Sequence, residues 1–198
     1  MTGLTDDRRI KISNFLPVLN GLIPGVTSPV ARLQLVAALT EFCGDSSYWR
    51  EQLGDLRPDG TDRVHDLEMP QDTVFAGYIC CRLLGEKLDA DLYEITSPSS
   101  MRFDASVVGA VTVEAAVKPT PGVSLVPESI YAHYSEAVCH GAAARLFAMP
   151  GSAWHDPSKV GWHVSLFREG ISRARRDVQE GYKTEQTHTR LRRGGQYF

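Results

Sequence analysis

The clearest regularity in the chain is a pair of apolar stripes near its end. Ile130, Tyr134, Ala137, Val138, Gly141, Leu146 and Met149 fall at steps of three and four, which puts them on one face of an α-helix. Val160, Val164, Phe167, Ile171, Ala174, Val178 and Tyr182 recur at steps of four and three, the pattern of a seam between two packed helices. The stripes predict helices over 127–149 and 157–183. Pro127 stands at the first helical position of one, and Asp156-Pro157 gives the cap and first turn of the other. Gly141 and the run Ala142-Ala143-Ala144 carry little side-chain bulk, so a partner helix can approach closely there. Pattern alone predicts a packed αα-hairpin and nothing more specific.

A third helix is predicted from Thr27-Ser28-Pro29, again a cap followed by proline. Leu33, Val36, Ala37 and Thr40, flanked by Leu35, Leu39 and Phe42, form its wide apolar face, which ends near Gly44. Ahead of it, the apolar stretch Ile10 to Val26 is broken by Pro17 and Pro24 at short intervals, which predicts an extended arm over the helices. Between Trp49 and Leu125 the punctuation changes to frequent glycine and proline, as between strands. The segment from Val64 to Met69 alternates like a half-buried strand, and Tyr78 to Leu88 reads as strand, turn at Gly85-Glu86 and short return. The segment Val107 to Pro119 is β-branched and stopped by proline. The expected fold is α+β: a helical bundle with a terminal αα-hairpin, an inserted small antiparallel β domain and an extended C-terminal arm. The corresponding segments are 1–46, 47–125, 126–184 and 185–198.

Composition narrows the function classes. Hydrophobic content of 42%, charged content of 23% and a net charge of −3 describe a globular chain and argue against a nucleic-acid binder acting through its whole surface. No apolar run approaches the roughly 18 residues of a membrane span, and the polar start precedes no signal-peptide core, so assembly in cytoplasm is expected. Cys43, Cys80, Cys81 and Cys139 lack C-x-x-C spacing and read as buried free thiols. His133 and His140 lie too far apart along their helix for metal-binding i, i+4 pairing. His155, in the turn, and His163, beside Trp162, read as packed or surface imidazoles. With no phosphate loop, nucleophile elbow or paired carboxylates, the expectation is a protein without catalytic residues, metal or cofactor.

Residues 185–198 are polar except at their end. Arg190, Leu191, Arg192 and Arg193 precede Gly194-Gly195, and Gln196, Tyr197 and Phe198 follow. Such a segment is either a solvated terminus or an arm that orders on a partner, and the terminal aromatic pair favours the arm. Together with Arg173, Arg175 and Arg176 these arginines also permit an alternative reading, a helical module that meets nucleic-acid phosphates through a basic C-terminal stripe. Asp177 and Glu180 dilute that stripe, and arginines docking on an acidic protein fit the charge balance equally well.

The junction between the last two helices is more specific than either helix. Leu146-Phe147-Ala148-Met149-Pro150-Gly151-Ser152-Ala153-Trp154-His155-Asp156-Pro157, followed by Phe167-Arg168-Glu169-Gly170-Ile171 and Ala174-Arg175, resembles the head-to-tail adaptor (connector) proteins of tailed bacteriophages. Pro24-Gly25, Glu41-Phe42-Cys43 and Trp49-Arg50-Glu51 extend the resemblance towards the start. The chain departs from the usual pattern at Ser152-Ala153 and in its glycine-rich tail. The resemblance implies a structural virion protein at the head–tail interface that forms a homo-oligomeric ring, a dodecamer in the family. It implies that the ring binds the portal protein, through the arm Arg190 to Phe198, and a tail component such as a nozzle, tail tube or head-closure protein. The genome would pass through the ring without sequence-specific contact. Met149, Pro150, Gly151, Trp154, Asp156 and Pro157 would form the hairpin junction, Trp154 as its plug.

Overall fold

A computed structural model describes residues 8–61 and 64–180. Three long helices form where they are predicted: α2 (Ser28–Ser46), α3 (Glu128–Phe147) and α4 (Pro157–Glu180), after a shorter α1 (Leu16–Leu22). In α2 the buried face runs through Leu35, Val36, Leu39 and Phe42, whereas Leu33, predicted on that face, is 61% exposed. Pro29 lies in the first turn of α2, where its missing N–H breaks no helical bond. This helix runs through Gly44 and stops at Ser47, whose φ of 53° is left-handed. Its last turn continues past the expected end because Cys43 and Ser46 are buried, and Ser46 Oγ donates to Phe42 O at 2.6 Å. Tyr182, the last position of the α4 stripe, lies outside the described residues.

The stretch Ile10 to Val26 is not an extended arm. It forms strand β1 (Arg9–Lys11), a 3-10 turn over Ile12–Phe15, and α1. Pro17 sits in the first turn of α1, and Pro24 lies beyond its end, so neither proline removes an internal helical hydrogen bond. Ile12, Phe15 and Leu19 are buried, and burial of this apolar face drives helix formation where spacing between prolines suggested none.

The expectation of a helical bundle with one small β domain is overturned. The strands form three antiparallel sheets. One pairs β1 with β9 (Leu125–Pro127), tying the start of the chain to the entry of α3. The second has the order β2 (Arg50–Leu56), β8 (Val111–Pro119), β4 (Thr73–Leu83), β5 (Glu86–Lys87). The third has the order β3 (Val64–Asp66), β7 (Ser100–Phe103), β6 (Tyr93–Ser97). Nor is the sheet region a separable outgrowth. Trp49, Val117, Val123 and Val126 belong to the same buried cluster as α2, α3 and α4. β8 buries Val111, Val113, Ala115 and Val117 on one face, while Thr112, Glu114 and Lys118 on the other stay half-buried, the alternation of a strand with one face in the interior.

Local chemistry sets the strand limits. Leu84 and Gly85 turn the chain between β4 and β5 with φ of 52° and 91°, one residue earlier than the predicted Gly85-Glu86 turn. Two successive positive φ values match the twist of a tight hairpin. Gly109, at φ 127°, separates Val107 and Val108 from β8, which begins only at Val111.

Candidate functional site at the helical hairpin

The candidate site is built where α3 and α4 meet, because two glycines let their backbones come together. A Cβ on Gly141 would lie 2.8 Å from the Phe167 ring, and one on Gly170 would lie 2.3 Å from the Ala137 Cβ. Phe167 is buried in this seam beside Ile171 and Ala174. Farther along, the Tyr134 hydroxyl donates to Asp177 of α4, and its ring stacks against Phe42 and Tyr48 with centroids 5.2 and 4.8 Å away. Burial, with the Asp177 hydrogen bond, raises the Tyr134 pKa above its ordinary value. The hairpin and α2 are thereby joined in one apolar interior.

The turn is held by backbone capping. Phe147 O accepts the Asp156 N–H at 3.0 Å and lies 3.0 Å from His155 Nδ1, so the end of α3 is satisfied from the start of α4. Gly151 takes a φ of 77°, and Ser152 Oγ donates to Met149 O at 2.9 Å. Asp156 Oδ1 accepts from Ser158 N at 3.2 Å and from Ser158 Oγ at 2.5 Å, while Lys159 Nζ approaches Oδ2 at 3.1 Å. The Ser158 hydroxyl, then Lys159, hold this carboxyl below the usual carboxylate range. Asp156 thus caps the helix that Pro157 opens. Met149 and Trp154 pack, partly buried, against the main core, whereas Pro150, Gly151 and Pro157 are exposed. The buried Trp154 Nε1 finds no acceptor among the described residues.

Sequence reasoning missed a feature at the same end of the hairpin. His140 and His163 face each other across the seam with Nδ1 atoms 2.8 Å apart. Phe147 and the 60%-exposed Trp162 flank the pair, their ring centroids 5.1 and 4.7 Å from that of His163, and His140 stays half-buried. Burial lowers both imidazole pKa values. Glu136 opposes the shift at His140, and the charges of His140 and Lys159 add to it at His163. The signal was available: both histidines lie almost equally far in sequence from Ser152, so an antiparallel hairpin turning there sets them opposite each other.

Two arginines of α4, Arg173 and Arg175, have structural partners. Arg173 donates to His133 O at 2.7 Å and lies over the Tyr134 ring, and Arg175 donates to Asp45 O at 2.6 Å. They tether α4 to α3 and to the end of α2, which leaves less of the helix for a phosphate-binding stripe. Arg190, Leu191, Arg192, Arg193, Gln196, Tyr197 and Phe198 lie outside the described residues.

All four cysteines are free and buried. Desolvation pushes the Cys81 and Cys139 thiols up to about 12, far from the thiolate needed for nucleophilic chemistry. Among the described residues no group of three or more His, Cys, Asp or Glu side chains is placed to hold a metal ion, and no helix is long and apolar enough to cross a membrane. A scan against models of known protein families finds none that matches the chain, and a search of curated proteins finds none significantly similar.

Proposed function

We propose that the protein is a head-to-tail adaptor of a tailed-phage virion, a ring subunit that binds the portal and presents a surface to the next tail component. The observation that supports this most is the junction from Leu146 to Pro157. The residues that carry the family resemblance there are the ones that close the turn: Asp156 donates its N–H to the Phe147 carbonyl, Gly151 supplies the positive φ, and Trp154 packs on the core. A ring of identical subunits requires two different complementary faces on each. A rigid helical seam on one part of the chain and open sheet edges at β2 and β6 on another are compatible with that requirement. In this reading the ring, a dodecamer by family resemblance, is an assembly device with DNA passing through it, localised to the head–tail interface of the virion.

The test is the mass of the purified protein by light scattering, alone and after mixing with the portal protein of the same phage. The adaptor reading expects a stoichiometric complex with portal rings. A protein that stays monomeric and elutes apart from the portal at every concentration overturns it.

A further inference from the structure

The His140–His163 contact is unusual in joining two identical titratable groups across the helical seam. Each neutral imidazole has one N–H and one lone pair, so a 2.8 Å approach of two Nδ1 atoms requires one ring to donate and the other to accept. One added proton keeps the contact, since imidazolium can still donate to a neutral partner. A second makes both nitrogens donors and sets two positive charges against each other in a site where His163 is 3% exposed.

We propose that the His140–His163 pair is an acid-sensitive latch on the α3–α4 seam, closed while a lone pair remains between the rings and opened when both are protonated. The element it controls is the half of the hairpin nearest the turn, where Phe147 and Trp162 flank the two rings. The charged groups acting on it come from the two helices that form it, Glu136 of α3 and Lys159 of α4. The neighbouring elements meet α3 elsewhere: α1 and its preceding turn through Phe15 against Tyr131 and Cys139, and α2 through the Glu41–Arg145 ion pair. Glu136 favours the first proton on His140, while Lys159 disfavours one on His163, so the two steps are separated.

The sign of the effect follows from burial. Both folded-state values lie below the ordinary 6.5, so as pH falls the unfolded chain takes up protons first. The latch therefore contributes fully above about pH 6.5 and is lost progressively as pH drops through the folded values. The inference is independent of the adaptor reading, because it concerns the hairpin whatever the hairpin binds.

The full-length protein labelled with 15N in its histidine rings tests it by NMR titration, with thermal melts at about pH 7.5 and about pH 5 alongside. The expected result is two rings that titrate in separate steps below 6.5. In His163→Phe, which keeps an aromatic ring beside Phe147, and in His140→Gln, the acid-induced fall in melting temperature should shrink by about half. If one variant fails to fold, the wild-type titration still decides. Rings that titrate together at or above the ordinary value, or variants that lose as much in acid as the wild type, would overturn the latch.

Discussion

The glycines of the helical seam and those of the sheets solve opposite problems. Gly141 and Gly170 lie within helices and are required by space, since a Cβ at either would strike the facing helix. Gly54, Gly77 and Gly85 have nothing within 4 Å of an added Cβ, but their φ values of 96°, 99° and 91° disfavour any L side chain. In the seam, glycine buys proximity, and in the sheets it permits turns and irregular register. Gly54 and Gly77 fall where the β2–β8 and β4–β8 ladders slip. The lesson is that the seam is fixed by shape complementarity, whereas the sheet region is fixed by backbone conformation and by a second apolar cluster around Met101, Phe103, Val111 and Val113.

Substitutions in the seam, the sheets and the turn test that contrast. Phe167→Ala empties the ring position against Gly141 and should lower stability by about 3–5 kcal/mol, measured by urea unfolding. A loss below about 1 kcal/mol would mean that the seam carries little of the fold. Gly170→Ala should cost about 1–3 kcal/mol by forcing the helices apart at Ala137, and an additional Ala137→Gly exchange should restore much of it. No rescue would show that the cost is not steric.

In the sheets, Gly85→Ala should cost about 1–2 kcal/mol through φ alone, and Gly85→Asn less, because asparagine enters left-handed conformations more readily. Equal losses would contradict the backbone explanation. Asp156→Ala should have the smallest effect, a modest fall in melting temperature at neutral pH. The folded carboxyl lies below its ordinary value, so the contribution is present above the unfolded pKa and fades as pH falls through the folded one. Wild type and variant should therefore converge in strong acid, and a constant gap there would remove the charged cap from the account.

The same contrast explains what could be read in the sequence. Phe167, Ile171 and Ala174 announced their seam because one helical face meets one partner, and period translates directly into burial. Pro17 hid α1, since a proline in the first turn of a short helix looks the same in sequence as one that breaks it. The three-sheet arrangement was hidden for a different reason: pairing Arg9 with Pro127 and Arg50 with Ala116 joins residues far apart in the chain, and no local period encodes such partners. At the candidate site, the turn residues Gly151 and Asp156 were legible from local chemistry. The His140–His163 contact required the register of two helices.

The central claim, attachment to a portal through the arm that ends in Phe198, is tested most directly by comparing the full chain with one truncated after Thr184. Both should give the same circular dichroism spectrum, because the seam and both apolar clusters lie within the retained residues. In the adaptor account, residues 185–198 hold the portal through charge-assisted bonds from Arg190, Arg192 and Arg193 and apolar burial of Tyr197 and Phe198. Co-sedimentation with portal rings should then be complete for the full chain and lost for the truncated one. Unchanged affinity after truncation would contradict the assignment of portal attachment to the arm.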